Sequence, residues 1–168
     1  MYSFLAPHKP ENYRGIALSS HFSKLFCTVL NSRLYTYFEK NNIIPVHQIG
    51  FQKKSRTADH ILTLKTLIDK YLNDGAKKYL HVCFVDFKRA FDSVWRQALI
   101  YKLLVSGVSG NLLSILASMY KDVNYCVKTD VGFTHPFSSN IGVKQGCVLS
   151  PTLFNLYVAD LPEIFSDN

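Results

Sequence analysis

Hydrophobic positions along the chain fall into blocks with two different periods. Between residues 19 and 40, Phe22, Leu25, Phe26, Val29, Leu30, Leu34, Tyr37 and Phe38 recur every three or four residues. That spacing predicts one apolar face of a helix. Ser19 or Ser20 can cap its start, and Asn41-Asn42 with Pro45 can end it. Residues 1–18 hold two prolines and read as an extended lead, and QIGFQKK at 48–54 reads as a loop. A second helix is predicted over 56–73, with Ile61, Leu64, Leu67, Ile68, Tyr71 and Leu72 as its stripe. Ser55 or Thr57 is its candidate cap and Gly75 its stop.

The pattern then changes. Residues 79–87 cluster β-branched and aromatic side chains, which predicts a strand. Its VCFV run is apolar throughout, as in a strand covered on both faces. Helical spacing returns over 95–105 and 110–121, with Gly107 and Gly110 between them. Residues 123–129 and 137–143 read as the arms of a hairpin with Gly132 in its turn region. A last helix is predicted from Ser150 to about 160, with Pro151 in the first turn, where its missing N–H costs nothing. Helices dominate and short strands accompany them, an α+β pattern. No internal repeat, low-complexity tract or linker interrupts the 168 residues.

Composition narrows the picture. Hydrophobic residues make up 48% of the chain, which supplies a core and argues against intrinsic disorder. The longest charge-free run, residues 103–120, is broken by four serines, two glycines and an asparagine, so no membrane span is expected. The opening MYSFLAPHKPENYRG lacks the basic head and apolar run of a secretory signal, so an intracellular protein, cytoplasmic or nuclear, is expected. Cys27, Cys83, Cys126 and Cys147 form no CxxC pair and read as reduced thiols. The net charge is +7, and the excess is uneven: residues 1–102 carry 16 basic and 7 acidic side chains, the remainder 3 and 5. A basic first part suits a polyanionic partner.

Two segments carry candidate chemistry. In FVDFKRAFDSV (84–94) an apolar stretch runs into Asp86, and Asp92 follows six residues later. A carboxylate at the end of a buried strand is costly unless it is paired or holds a cation. Mg²⁺ favours such oxygens and leaves room for phosphate. A strand-end aspartate that caps the next turn is the alternative. In IGVKQGCVLSPTLFNLYVADL (141–161), a Lys, a Gln and a Gly precede a helix start. Backbone amides and the positive helix end suit phosphate there, and an ordinary strand–turn–helix junction is the alternative.

Four segments in order resemble the reverse transcriptases of non-LTR, LINE-like retrotransposons. They are ENYRGIALSS (11–20), QIGFQKKSRTADHI (48–61), FVDFKRAFDSV (84–94) and GVKQGCVLSPTLFNLYVADLP (142–162), and the likeness covers about residues 11–162. The resemblance implies a right-hand polymerase fragment, with a fingers part over about 11–75 and a palm part over about 76–162. It implies RNA template, DNA primer and deoxynucleoside triphosphates as partners, and Mg²⁺ or Mn²⁺ as cofactor, two ions in a complete enzyme. By the resemblance Asp86 is the first catalytic aspartate and a metal ligand, and Phe87 lends its backbone carbonyl. The two-ion scheme activates the primer 3′-hydroxyl and stabilises leaving pyrophosphate.

The same likeness puts Phe91 under the nucleotide sugar, where a ring disfavours a ribose 2′-hydroxyl; a packing Phe is the alternative reading. Asp92 matches a family position and reads here as structural, capping the turn before Trp95. Gln145 and Gly146 line the nucleotide pocket, and Arg14 approaches the triphosphate. Lys53, Lys54 and Arg56 face the template backbone, contacts that give affinity and salt dependence rather than sequence choice. Ser150 and Pro151 start the helix beneath template and primer, and Phe154 and Asn155 lie on it, Asn155 near the template or the nucleotide pocket. Arg14-Gly15 stands where many relatives have Arg-Pro, and Ser55-Arg56-Thr57 where many have Arg-Ser-Thr.

The family's next motif, an aromatic–any–Asp–Asp (YADD) hairpin, does not appear in the 168 residues, nor does the thumb. Tyr157-Val158-Ala159-Asp160 is not a substitute, because Leu161 stands where the second Asp belongs. The expectation is a chain inactive by itself, with exposed strand edges and the missing thumb and YADD segment of a parent polyprotein as partners. The competing expectations are an RNA or RNA–DNA hybrid binding module without chemistry, and an inactive retroelement relic.

Overall fold

A computed structural model describes residues 13–53, 55–72 and 79–166. Helix α1 spans His21–Lys40, α2 Thr57–Leu72, α3 Arg96–Val105, α4 Gly110–Tyr120, α5 Ser150–Tyr157 and α6 Leu161–Ser166. Four two-residue strands lie between α4 and α5: β1 Asn124–Tyr125, β2 Lys128–Thr129, β3 Gly132–Phe133 and β4 Phe137–Ser138. The α+β expectation holds at this level, a helix-rich domain with small antiparallel pairs.

The core forms where α3 packs on α4 and α5, and where α1 packs on α5. Leu34, Leu99, Leu103, Leu116, Leu149 and Leu153 are fully buried there. Helix α1 contributes Cys27, Leu30, Leu34 and Phe38, one narrow stripe at spacings of three and four. The predicted stripe was broader: Phe22, Leu25, Phe26 and Val29 are exposed, because α5 meets only one side of α1. Helix α2 buries none of its side chains.

Local signals set the helix ends. The Ser20 hydroxyl accepts from Ser23 N–H at 3.2 Å and caps α1. At its other end Asn42 takes the left-handed conformation (φ 50°). Ile43 N–H then returns to Phe38 O and Asn42 N–H to Glu39 O, a Schellman closure. Gly107 (φ 84°) ends α3 in the same way, with Val108 N–H on Leu103 O and Gly107 N–H on Leu104 O. At α2 neither proposed cap is the device seen. The Asp59 carboxylate reaches back to accept from Arg56 N–H at 2.6 Å, half of a capping box. The expected stop at Gly75 lies outside the described residues.

The predicted hairpin exists, shorter and out of step. Asn124 pairs with Ser138 and Tyr125 with Phe137, whereas Lys128 pairs with Phe133 and Thr129 with Gly132. Two residues separate the pairs on the first arm and three on the second, Thr134, His135 and Pro136. The extra residue makes a bulge, placed beside a proline that has no N–H to give a ladder. Beyond β4, Ser139 N–H still donates to Val123 O at 3.2 Å, and Ile141 forms an isolated bridge with Trp95. The final helix also divides: α5 ends at Tyr157, and α6 follows a turn that contains Asp160.

The strand predicted over 79–87 is not formed. Those residues are irregular and mostly exposed, including Val82, Phe84, Val85 and Phe87. A strand needs a neighbour for its backbone groups, and among the described residues none is offered. The VCFV run, apolar as in a strand covered on both faces, finds no cover among the described residues.

Candidate nucleotide and template site

The two segments singled out for chemistry meet. Residues 88–93 make a tight turn, closed by Ser93 N–H on Arg89 O at 3.0 Å, with Arg89 at φ 56°. The chain leaving that turn is then bound by residues 141–145. Val143 N–H donates to Phe91 O at 2.8 Å and Gly142 N–H to Val94 O at 2.7 Å. Gly142 has φ 82°, and a Cβ there would stand 2.8 Å from the Asp92 carbonyl oxygen. Only glycine accepts both the conformation and the approach. The Gln145 side-chain amide donates to Asp92 Oδ1 at 2.7 Å. Asp92 therefore holds Gln145 rather than capping the turn before Trp95.

Beneath this junction lies Arg96, a buried cation. Its Nε donates to Gly142 O at 2.8 Å, and its terminal nitrogens to Ser139 O, Tyr120 O and the Tyr125 hydroxyl. The guanidinium lies 5.6 Å from the Tyr120 ring. Among the described residues it has no carboxylate partner, and carbonyl oxygens carry the charge. Burial pushes the Tyr120 phenol well above its usual range, so it stays protonated. Sequence reasoning missed Arg96 and Gly142. The available signal was an arginine opening a mostly apolar helix.

Helix α5 begins on the far side of Gln145. The Ser150 hydroxyl donates to Lys144 O at 2.7 Å, and Pro151 occupies the first turn. Both of these residues thus fix the helix start, and Ser150 is buried. Gly146, at φ 94°, lies beside the Ala17 carbonyl. Ala17 N–H donates to Gln145 O at 2.9 Å, which lays the extended segment 13–20 along the pocket loop. Arg14 stands exposed three residues earlier on that segment.

Asn155 is buried and spends its whole amide on the loop that precedes α2. Its Oδ1 accepts from Gln48 Nε2 at 3.1 Å and its Nδ2 donates to Gly50 O at 2.8 Å. Phe51, at φ 57°, leaves that loop to meet Phe91 edge-on at 5.8 Å, and Phe91 stacks on Phe154 at 5.0 Å. Lys53 lies 4.2 Å above the Tyr35 ring, whose hydroxyl accepts from Lys53 N–H and donates to Gln52. A cavity of about 360 Å³ opens between the end of α1, this loop and α5, with Tyr35, Glu39, Gln48, Lys53, Thr152 and Asn155 in its wall.

The structure therefore brings Phe91, Gln145, Gly146, Ser150, Pro151 and Asn155 into one neighbourhood, and Lys53 borders it. Arg56 is exposed at the start of α2, and Lys54 lies outside the described residues. Asp86 and Phe87 are exposed on the irregular stretch before the turn. Among the described residues no three His, Cys, Asp or Glu side chains converge on a point that could hold a metal ion, so Asp86 alone does not make a two-ion site. Asp160 is not a candidate to complete one. It pairs with Lys102 Nζ, which also bonds Tyr157 O, and that lysine holds the carboxyl below its usual range. Among the described residues no helix is long and apolar enough to cross a membrane.

Residues 6–168 match the family model for reverse transcriptase (RNA-dependent DNA polymerase). The chain is 33% identical over 153 residues to a probable RNA-directed DNA polymerase from transposon BS of Drosophila melanogaster, covering 91% of this chain and 17% of that protein. It is 30% identical over 156 residues to the RNA-directed DNA polymerase from mobile element jockey of Drosophila funebris, covering 93% and 17%. A Pol polyprotein from the type-1 retrotransposable element R2 of Popillia japonica is 27% identical over 155 residues, covering 90% and 21%. The chain thus spans about a sixth to a fifth of the length of these relatives. The likeness to non-LTR retrotransposon enzymes drawn from the four motifs is borne out, and the chain belongs to the reverse transcriptase family.

Proposed function

We propose that this chain forms the nucleotide- and template-facing part of an RNA-directed DNA polymerase from a non-LTR retrotransposon. Its fingers part is about residues 11–75 and its palm part about 76–162. The observation that carries the reading is the Asp92–Gln145 hydrogen bond, with the backbone pairing of Phe91 and Val94 to Val143 and Gly142. It unites two segments that the sequence shows only as separate motifs.

In this reading Gln145 and Gly146 line the pocket for a deoxynucleoside triphosphate, and Arg14 approaches its phosphates. Phe91, held between Phe51 and Phe154, is the ring beneath the sugar. Such a clamped ring cannot swing aside for a 2′-hydroxyl. Lys53, Lys54 and Arg56 meet the template backbone. Ser150, Pro151 and Asn155 build the helix under template and primer, and Asn155 acts through the loop it anchors. Asp86, with the Phe87 carbonyl, would hold Mg²⁺ or Mn²⁺ together with carboxylates that the described residues do not supply.

The test is a chimera. Residues 13–166 replace the matching segment of the jockey polymerase, and primer extension is run on an RNA template with Mg²⁺ or Mn²⁺. Extension that Asp86→Ala abolishes is the expected result. Extension that Asp86→Ala leaves intact overturns the assignment of Asp86. The chain by itself provides a second measurement. The basic excess of residues 1–102 favours RNA binding, with or without chemistry. Affinity should fall with a log–log salt slope of about 0.7 per phosphate neutralised, and Lys53→Gln should make that slope shallower.

A further inference from the structure

Two cysteines that the polymerase reading does not use face each other across the pocket loop. Cys27 is buried on α1, and Cys147 is half-buried on the turn two residues after Gln145. Both line one small cavity of about 10 Å³, together with Ala17, Ser19, Tyr120 and Lys144. Cys147 packs against the core cluster that contains Cys27.

We propose that Cys27 and Cys147 form an oxidation site that takes hydrogen peroxide and closes to a disulfide. Cys147 is the more accessible sulfur and reacts first. Its thiolate attacks a peroxide oxygen, the O–O bond breaks, and Cys147 becomes a sulfenic acid with release of water. The Cys27 sulfur then attacks the Cys147 sulfur, the S–O bond breaks, and the leaving hydroxide takes the Cys27 proton as a second water. Two thiol hydrogens and two electrons pass to one peroxide. Burial and the neighbouring sulfur push the Cys27 thiol up from its usual value, which suits a resolving thiol rather than the first nucleophile. The bond would clamp the loop carrying Gln145 and Gly146 to α1. Only that consequence rests on the polymerase reading; the bond itself does not.

The experiment uses the whole chain, with the exposed Cys83 and Cys126 replaced by serine. Native protein is treated with hydrogen peroxide, remaining thiols are alkylated, and unreduced peptides are mapped by mass. The expected result is one cross-linked species joining the Cys27 and Cys147 peptides, lighter by two hydrogens and reversed by dithiothreitol. Adding Cys147→Ser should leave Cys27 a free thiol under the same treatment. The same cross-linked peptide is expected from the wild-type chain, beside products of Cys83 and Cys126, so a folding defect of the double variant does not hide it. Oxidation of Cys147 to sulfinic acid with Cys27 still reduced would overturn the proposal, as would absence of the cross-linked peptide from both proteins.

Discussion

Residues 141–157 and residues 79–87 are both dense in apolar side chains, and both carry chemistry expected of the family. Their surroundings differ completely. In the first, Val143, Leu149, Leu153 and Leu156 are buried, and hydrogen bonds tie the segment to the turn at 91–94, to Arg96 and Lys102 of α3 and to Gln48 and Gly50 of the loop before α2. In the second, Phe84 is 82% exposed and no ladder is made. Apolarity therefore states what a segment requires, while burial depends on whether another element arrives to meet it. Residues 141–157 find Arg96, Gly142 and Asn155 to fix their geometry. Asp86, at the end of the other stretch, has no such frame among the described residues.

Amide hydrogen exchange tests this contrast most directly and should show the largest effect. Amides of α3 and α5 should exchange only with global unfolding. Those of residues 79–87 should exchange several orders of magnitude faster, as expected where no backbone hydrogen bond protects them. Protection of residues 79–87 comparable to α5 would break the comparison.

Substitution should give the next effect. Leu153→Ala removes a side chain with no exposure and should cost about 2–5 kcal/mol in urea unfolding. Phe84→Ala should fall within about 0.5 kcal/mol of wild type, although phenylalanine is the larger residue. A large loss at Phe84 would mean that residues 79–87 are covered in solution.

What the sequence reveals follows the same division. Helical periodicity and end signals are local, so α1, α3 and α4 and their stops at Asn42 and Gly107 were readable. The first arm of the hairpin was readable too, but the second starts at Gly132, in the expected turn region, and pairs only as far as Ser138. The hairpin's step in register was not readable, because the extra residue between β3 and β4 shows only once the two arms are paired. The four motifs identified the family and grouped Phe91, Gln145, Ser150 and Asn155. Their partners were hidden, since contacts between Asp92 and Gln145, or between Arg96 and Gly142, join residues about 50 positions apart. Asn155 looked like a ligand-facing amide because its spacing on α5 cannot show that Gln48 and Gly50 occupy it.

That anchor supplies a sharper, smaller test inside the well-framed region. Asn155→Ala leaves the Gly50 carbonyl and the Gln48 amide without their partner, at a cost of about 1–3 kcal/mol. Asn155→Asp keeps the acceptor for Gln48 but turns a second oxygen toward Gly50 O, so it should rescue little. Faster exchange confined to residues 48–53 in both variants would show that the loop, and with it Lys53, depends on α5. Unchanged exchange there would separate loop from helix.

The smallest expected effect lies at the exit of the framed region, where Asp160 and Lys102 join the turn after α5 to α3. The Asp160 side chain is 55% exposed, so solvent screening limits the pair to less than about 1 kcal/mol. Its hydrogen bond to Lys102 lowers the carboxyl from an ordinary value of 3.8. A depressed carboxyl favours the folded state above its unfolded value, and this contribution fades as pH falls through the lower folded value. Asp160→Asn should therefore be slightly less stable than wild type at neutral pH, and the difference should close progressively below pH 3.8. Lys102→Met should reproduce the acid dependence and add a further loss at all pH values, because Lys102 Nζ also bonds the Tyr157 carbonyl. No loss in Asp160→Asn beside a pH-independent loss in Lys102→Met would mean that Lys102 holds the end of α5 through that carbonyl alone.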